Sequence, residues 1–132
     1  MDAKYTEVNQ FAQATTGSYL PKTPRLKISL SPDVHTRLVN GATIRFGIDY
    51  THTSEIYNDV QGTALLRRPK EDLFNASSSI VAPNGKLTFT VGGTNLTDRR
   101  FITTGQPQYA GGVVFGTYDA PREWYATVGM KY

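Results

Sequence analysis

The sequence predicts an all-β chain, an antiparallel up-and-down sheet of about six strands that forms a segment of a transmembrane β-barrel. Three observations favour this fold class. Apolar and polar residues alternate along several runs, long and short connections alternate between the runs, and charged residues keep to one parity of each run. Because successive side chains of a strand point to opposite faces, each run has one apolar and one polar face.

The composition excludes several other classes. The 12 Gly, 8 Tyr and 6 Phe, with many Thr and Ser, favour β-structure. No apolar run approaches the roughly 20 residues of a membrane-spanning helix. The chain has no Cys, which excludes a disulfide framework and a thiolate metal site. The net charge of +3 comes from scattered Lys and Arg, so nucleic-acid binding is not expected. No Ser/His/Asp set or carboxylate pair predicts an enzyme, and no cofactor is expected.

The alternation predicts strands whose boundaries follow turn residues. They cover residues 2–8 (weakly), 26–38, 42–50 (extending towards 57), 73–82, 87–97 and 122–132. The pairs Asn40-Gly41 and Asn84-Gly85 predict tight hairpin turns. Pro32 interrupts the second strand, where a bulge can form, and Gly92-Gly93 predicts a kink or bulge in the fifth.

The remaining segments are predicted to be long loops. They cover residues 9–24, 58–70 and 102–121, so long loops alternate with the two Asn-Gly turns. Outer-membrane barrels have short periplasmic turns and longer extracellular loops. This asymmetry favours a barrel segment over a soluble sandwich.

The charge pattern points the same way. In runs 26–38, 42–50, 87–97 and 124–132, no Asp, Glu, Lys or Arg falls on the apolar parity. A Lys or Arg on the lipid face at mid-depth costs about 2–4 kcal/mol. Aromatic residues near strand ends suit interfacial girdles; they are Tyr50, Tyr57, Phe101, Trp124 and Tyr132. A soluble antiparallel sheet also alternates, so a small soluble β-sandwich binding module is the alternative. A small or oligomeric barrel is a further one.

This assignment of faces makes a first prediction. Replacing Ile48 with Arg puts a charge on the lipid face and should block membrane assembly of the intact protein, while Thr51→Arg should be tolerated. The amount of each variant recovered in the membrane fraction measures the difference. Equal tolerance of both variants would contradict the assigned face.

Several motifs resemble the C-terminal part of TonB-dependent outer-membrane receptors. The penultimate strand of that family resembles residues 87–101, with Asn95-Leu96-Thr97-Asp98 followed after two residues by Phe101. A Gly-rich loop, a Pro-Arg pair and a last strand ending in an aromatic residue follow, matched here by Gly111, Gly112, Pro121, Arg122 and Tyr132. Upstream, Gly17, Leu20-Pro21 and Pro24 resemble the entry to an earlier strand. The family ends most often in Phe, and Tyr132 is a variant of that pattern.

The resemblance implies a fold, a location and partners. Residues 1–132 would be the C-terminal part of a 22-stranded barrel in the bacterial outer membrane, in contact with outer-membrane lipid. The signal peptide, the plug domain, the N-terminal strands and the TonB box would lie outside this sequence. Such receptors take up ferric siderophores, haem, cobalamin or sometimes carbohydrates, with force from the inner-membrane TonB complex. The substrate expected here is a ferric siderophore or a similar iron complex. The barrel-assembly machinery would read the last strand through Trp124, Val128, Met130 and Tyr132.

A few polar residues are candidates for binding. Arg67, Arg68 and Lys70 lie in a predicted outer loop, where they could attract an anionic siderophore or lipopolysaccharide phosphate, or simply be solvated. Tyr109 is a further candidate in the last loop. His35 and His52 are predicted to be solvated strand residues rather than metal ligands. Asn95-Leu96-Thr97 matches a glycosylation sequon, but Asn95 is predicted to form a turn.

Overall fold

The computed structural model describes residues 3–10, 14–108 and 111–132. This part of the chain forms ten β-strands and one short 3₁₀ helix, and it contains no α-helix. The strands are β1 (Lys27–Leu30), β2 (Asp33–Arg37), β3 (Thr43–Thr53), β4 (Ile56–Tyr57), β5 (Arg67–Arg68), β6 (Glu71–Val81), β7 (Leu87–Thr94), β8 (Ile102–Gln108), β9 (Val113–Tyr118) and β10 (Glu123–Met130). The 3₁₀ helix covers Ala64–Leu66. The predicted all-β class is therefore confirmed.

Contacts within the chain group it into two compact units. The loop unit comprises Met1–Ile28, His52–Glu71 and Arg100–Asp119. The sheet unit comprises Ser29–Thr51, Asp72–Arg99 and Ala120–Tyr132. The loop unit thus gathers the three segments that the sequence predicts as long loops, whereas the sheet unit holds most of the predicted strands and both Asn-Gly turns.

One six-stranded sheet has the strand order β1-β3-β6-β7-β10, with β2 also paired to β3. The pairs β2–β3, β6–β7 and β7–β10 are antiparallel. Neighbours in the sheet follow chain order, as in an up-and-down meander. Within the described chain the sheet is open, because β10 forms one edge and β1 with β2 forms the other.

Both predicted Asn-Gly turns are present and use the same contacts. Asn40 Oδ1 accepts a hydrogen bond from Ala42 N–H at 3.1 Å, and Asn84 Oδ1 accepts one from Lys86 N–H at 3.0 Å. Gly41 and Gly85 have φ values of 84° and 69°, which side-chain-bearing residues rarely adopt. These turns set the registers of the two hairpins.

Pro32 interrupts the second strand as predicted, because β1 ends at Leu30 and β2 begins at Asp33. No residue is inserted there, since Ile48 N–H donates to Pro32 O at 3.1 Å and Ser54 N–H donates to Leu26 O at 2.9 Å, both in the register of the Asp33–Gly47 pair. Strand β7 also keeps a regular register through Gly92 and Gly93. The bulges predicted at these two places are therefore wrong.

Strand β7 stays regular because aromatic rings cover its two glycines. Tyr125 pairs with Gly92 and Trp124 pairs with Gly93. A Cβ at Gly92 would meet the Tyr125 ring and lie 2.9 Å from Ala76 O, and one at Gly93 would lie 2.8 Å from Trp124 Cε3. The missing side chains thus make room for the rings, an arrangement known to rescue glycine in strands.

We expect Gly92→Ala to destabilise the sheet by about 1–3 kcal/mol, because the added methyl overlaps a ring and a backbone carbonyl. Gly47→Ala is the matched control, since its Cβ would lie 3.8 Å from Ser77 Oγ, an ordinary contact. Urea unfolding of both variants in detergent measures the difference. Equal stability would show that Gly92 has no packing role.

The loop unit contains more regular structure than the sequence predicts. Strand β4 lies in the predicted extension of the third strand towards residue 57, and it pairs with β5, which lies within the predicted loop 58–70. Strands β8 and β9 form an antiparallel hairpin within the predicted loop 102–121. Conversely, the predicted strand at residues 2–8 is reduced to one isolated bridge between Lys4 and Tyr19 among its described residues. Strands β8 and β9 do not show an apolar–polar alternation in sequence, because many of their residues are polar and Gly105 and Gly116 carry no side chain. The hairpin is therefore not predictable from the sequence pattern.

The loop unit has its own small core. Leu66 is fully buried, and Ile56 and Phe101 are nearly so. Leu66 packs against Gly105, where a Cβ would collide with its side chain and lie 2.8 Å from Phe115 O. The core therefore ties the 3₁₀ helix to the β8–β9 hairpin.

Candidate functional site

The main candidate surface is the apolar face of the sheet unit, which includes Ile80, Phe89 and Val128. Strand register places Ile80, Phe89 and Val128 side by side across β6, β7 and β10. Leu87 and Met130 form a second row of the same face. Because the rows follow from paired residues, they are one continuous surface.

The apolar face extends across β3. Phe46 pairs with Val34 of β2, and the rings of Tyr50 and Phe74 lie 4.8 Å apart. Tyr50 shares its parity with Phe46, and Phe74 shares its parity with Ile80. All these positions therefore lie on one side of the sheet.

The apolar face is exposed. Trp124 and Met130 retain 72% of their accessible surface, Val128 retains 65%, and Phe46 retains 47%. Single exposed apolar residues are ordinary, but a contiguous exposed apolar surface marks contact with lipid or another protein. Within the sheet unit, none of the described residues forms a second layer over this face.

The opposite face is polar. Directly paired positions there include Ser79 with Thr90, Thr90 with Thr127, and His35 with Arg45. Arg45 and Asp49 are exposed in the middle of the strongest strand. The sheet thus has one apolar and one polar face.

Asp72 marks one end of the apolar face. It shares the parity of Phe74, and it accepts a hydrogen bond from the Tyr50 hydroxyl at 2.7 Å. Tyr50 therefore has its ring against Phe74 and its polar tip on a carboxylate. This amphipathic placement is typical of tyrosines at a membrane–water interface.

Two of the four long strands reach the length of a transmembrane strand, and the other two are slightly shorter. Strands β3 and β6 each contain 11 residues, and β7 and β10 each contain 8. A tilted transmembrane strand needs about 9–11 residues. Backbone pairing also continues beyond β10, where Lys131 N–H donates to Lys86 O at 2.8 Å.

Three residues of the predicted assembly signal lie together. Trp124, Val128 and Met130 occupy the apolar face of β10, at the edge of the sheet. Tyr132 follows the strand and is fully exposed. Recognition by assembly machinery stays a prediction.

The predicted binding residues of the loop unit differ in how exposed their side chains are. Arg67 is half exposed and lies 3.5 Å from Glu55, and Lys70 is exposed. Tyr109 lies outside the described residues. Among the three described candidates, Arg67 and Lys70 are exposed, whereas Arg68 is largely buried.

Arg68 is held inside the loop unit. Its guanidinium forms an ion pair with Glu71, with Nε donating to Oε2 at 2.8 Å, and it stacks over the Phe101 ring at 3.9 Å. The side chains retain only 17% and 4% of their accessible surface. Burial lowers the pKa of Arg68, and the charge of Asp119 opposes that shift. The positive charge of Arg68 is thus neutralised by Glu71 within the chain. Arg67 and Lys70 are exposed and are more accessible to a ligand than Arg68.

The histidines do not form a metal site with other ligands in the described residues. His35 is exposed and lies 4.0 Å from Asp33, and His52 lies in β3. No group of three or more His, Asp or Glu residues suited to a metal occurs in residues 3–10, 14–108 and 111–132. The same ranges contain no helix long and apolar enough to cross a membrane.

Asn95 forms the predicted turn after β7. Its φ is 48°, its Oδ1 accepts from Arg99 N–H at 2.9 Å, and its Nδ2 donates to Ala120 O at 3.0 Å. The side chain is buried. Asn95 thus joins the end of β7 to the approach to β10.

The loop unit also contains a polar hollow that the sequence does not predict. Lys22, Asn58 and Gln106 line it together with neighbouring residues. They come from three segments that are distant in sequence, and neither their spacing nor a motif links them.

Comparisons of the chain with protein-family models, curated proteins and solved structures find no match of significance in any of the three.

Proposed function

We propose that the sheet unit is part of the wall of an outer-membrane β-barrel, with the apolar face against lipid and the polar face towards the lumen. The observation that carries this proposal is the continuous, exposed apolar face of an up-and-down sheet. The row Ile80, Phe89 and Val128 runs across three strands of that face. The polar face of the sheet would contact water in the lumen, as expected for a barrel wall.

The sheet cannot be the whole barrel in this proposal. The smallest barrels of this type have about eight strands, and a free edge in lipid leaves backbone groups without partners. The edges formed by β10 and by β1 with β2 would therefore pair with further strands. The end of the sheet that carries the long connections would face the cell exterior, and the end with the two Asn-Gly turns would face the periplasm.

The proposed activity is uptake of a scarce nutrient by a TonB-dependent receptor, with a ferric siderophore or similar iron complex as the substrate class. Its support is the resemblance of residues 87–132, which includes Asn95, Phe101 and Pro121-Arg122. The plug, the remaining strands and the TonB complex would supply gating and force. The chain would bind and conduct its substrate without making or breaking a bond in it.

Cell fractionation tests the proposal. An antibody against residues 102–121 should detect a heat-modifiable band, much larger than 14.6 kDa, in the outer-membrane fraction of source cells. Disruption of the coding region should impair growth on ferric siderophores under iron limitation and leave growth on free iron unchanged. A 14.6 kDa band in the soluble fraction would contradict the proposal and favour a β-sandwich binding module.

A further inference from the structure

A polar hollow in the loop unit has the size of a small-molecule site. It measures about 420 Å³ and lies between the segment after β4 and strand β8. Its polar lining consists of Lys22, Asn58, Asp59, Gln61, Thr104 and Gln106. Ligand sites of proteins begin at about 300 Å³ and carry a few convergent polar groups.

Lys22 is fixed at one side of this hollow. Its φ is 58°, an unfavourable conformation for a residue with a side chain, and its N–H donates to Tyr57 O at 2.8 Å. Its ammonium donates to Thr104 Oγ1 at 3.1 Å. An ammonium has three N–H donors, so the pair can still donate to a carboxylate.

Two buried polar side chains, Asn58 and Asp59, also line the hollow. Asp59 accepts from Thr63 N–H at 2.9 Å and from its hydroxyl, and Asn58 Nδ2 donates to Leu66 O at 2.9 Å. Asn58 is 6% exposed, and its Oδ1 has no hydrogen-bond partner among the described residues. That oxygen is enclosed, whereas Lys22, Thr104 and Gln106 are exposed and are the polar residues that a ligand entering the hollow can contact.

We infer that this hollow binds a small polyhydroxylated acid, such as a sugar acid. Lys22 and Thr104 would take the carboxylate, and the amide of Gln106, which both donates and accepts, would take a hydroxyl group. The lining carries one ammonium, on Lys22, and one carboxylate, on Asp59. Because Asp59 already accepts from the Thr63 N–H and hydroxyl, Lys22 is the charged group left to bind a single carboxylate of a ligand. The inference goes beyond the proposed uptake function, because it depends on the loop unit alone.

Gluconate, sorbitol and acetate are the probes that test this ligand class. A ligand of gluconate's size at ordinary efficiency binds with a dissociation constant on the order of 1 mM, a range suited to NMR titration of the full chain in detergent. Gluconate should give saturable shifts at the Lys22, Gln61 and Gln106 amides, whereas sorbitol and acetate should bind at least about tenfold more weakly. The absence of saturable shifts, or equal binding of all three probes, would overturn the inference.

Variants then assign the contacts. Lys22→Gln should weaken gluconate binding about tenfold and leave sorbitol unchanged, while Gln106→Ala should weaken both. Lys86→Gln, in an exposed turn of the sheet unit, is the matched control and should bind gluconate normally. An equal loss in both Lys variants would mean general charge attraction and would overturn the assignment. Membrane localisation is measured separately, so failure of either idea leaves the other testable.

Discussion

Phe89→Arg should prevent insertion of the intact protein into the outer membrane. Phe89 lies in the central row of the apolar face, between Ile80 and Val128. An arginine on the lipid face at mid-depth costs about 2–4 kcal/mol, and the flanking apolar side chains offer it no partner. The measurement is the amount of heat-modifiable protein in the outer-membrane fraction.

Thr90→Arg is the matched control for Phe89→Arg. Thr90 is the next residue of β7, it lies at nearly the same depth, and its side chain belongs to the polar face, beside Ser79 and Thr127. Thr90→Arg and Phe89→Leu should both insert. If Thr90→Arg fails as completely as Phe89→Arg, the two faces do not differ in environment and the proposed barrel wall is wrong.

Arg68→Ala should destabilise the loop unit by about 3 kcal/mol or more, because it leaves the buried carboxylate of Glu71 without its partner. The same change removes the stacking of the guanidinium on Phe101. Urea unfolding followed by circular dichroism, together with NMR shifts of loop-unit amides, measures the loss.

Arg67→Ala is the control for Arg68→Ala, since the two arginines are adjacent but differ in burial. Arg67 and Glu55 are 51% and 42% exposed, and such surface pairs contribute about 0–1 kcal/mol. The double variant Arg68→Met/Glu71→Leu should recover much of the stability lost in Arg68→Ala, because it removes both buried charges. A loss as large in Arg67→Ala as in Arg68→Ala would contradict the buried pair.

The sheet was predictable from sequence where side chains alternate. Residues 42–50 and 87–91 alternate strictly, and Asn40-Gly41 and Asn84-Gly85 determine the turns between strands. The β8–β9 hairpin was not predictable in this way, because its glycines and polar residues do not alternate. Gly92 and Gly93 suggest a kink in isolation, and only the pairing with Tyr125 and Trp124 explains their regular backbone.

The candidate sites were less predictable than the sheet. Sequence cannot distinguish Arg67 from Arg68, because burial of one and exposure of the other depend on contacts with Phe101 and Glu71. The hollow around Lys22 joins three distant segments, so no local pattern reports it. The apolar face, by contrast, was predictable from sequence, because alternate residues of a strand lie on the same face of the sheet.

Collision measurements along β7 test most directly whether the apolar face meets lipid. Residues 1–132 contain no Cys. Single cysteines at Thr88, Phe89, Thr90 and Val91 can therefore each carry a spin label in the membrane-embedded intact protein, once any cysteine outside this sequence is replaced with Ser. The proposal predicts that labels at Phe89 and Val91 collide mainly with oxygen dissolved in lipid, and labels at Thr88 and Thr90 mainly with a water-soluble relaxation reagent. Low collision with both reagents at Phe89 and Val91 would mean that a protein layer covers the apolar face, as in a sandwich, and would contradict the barrel wall.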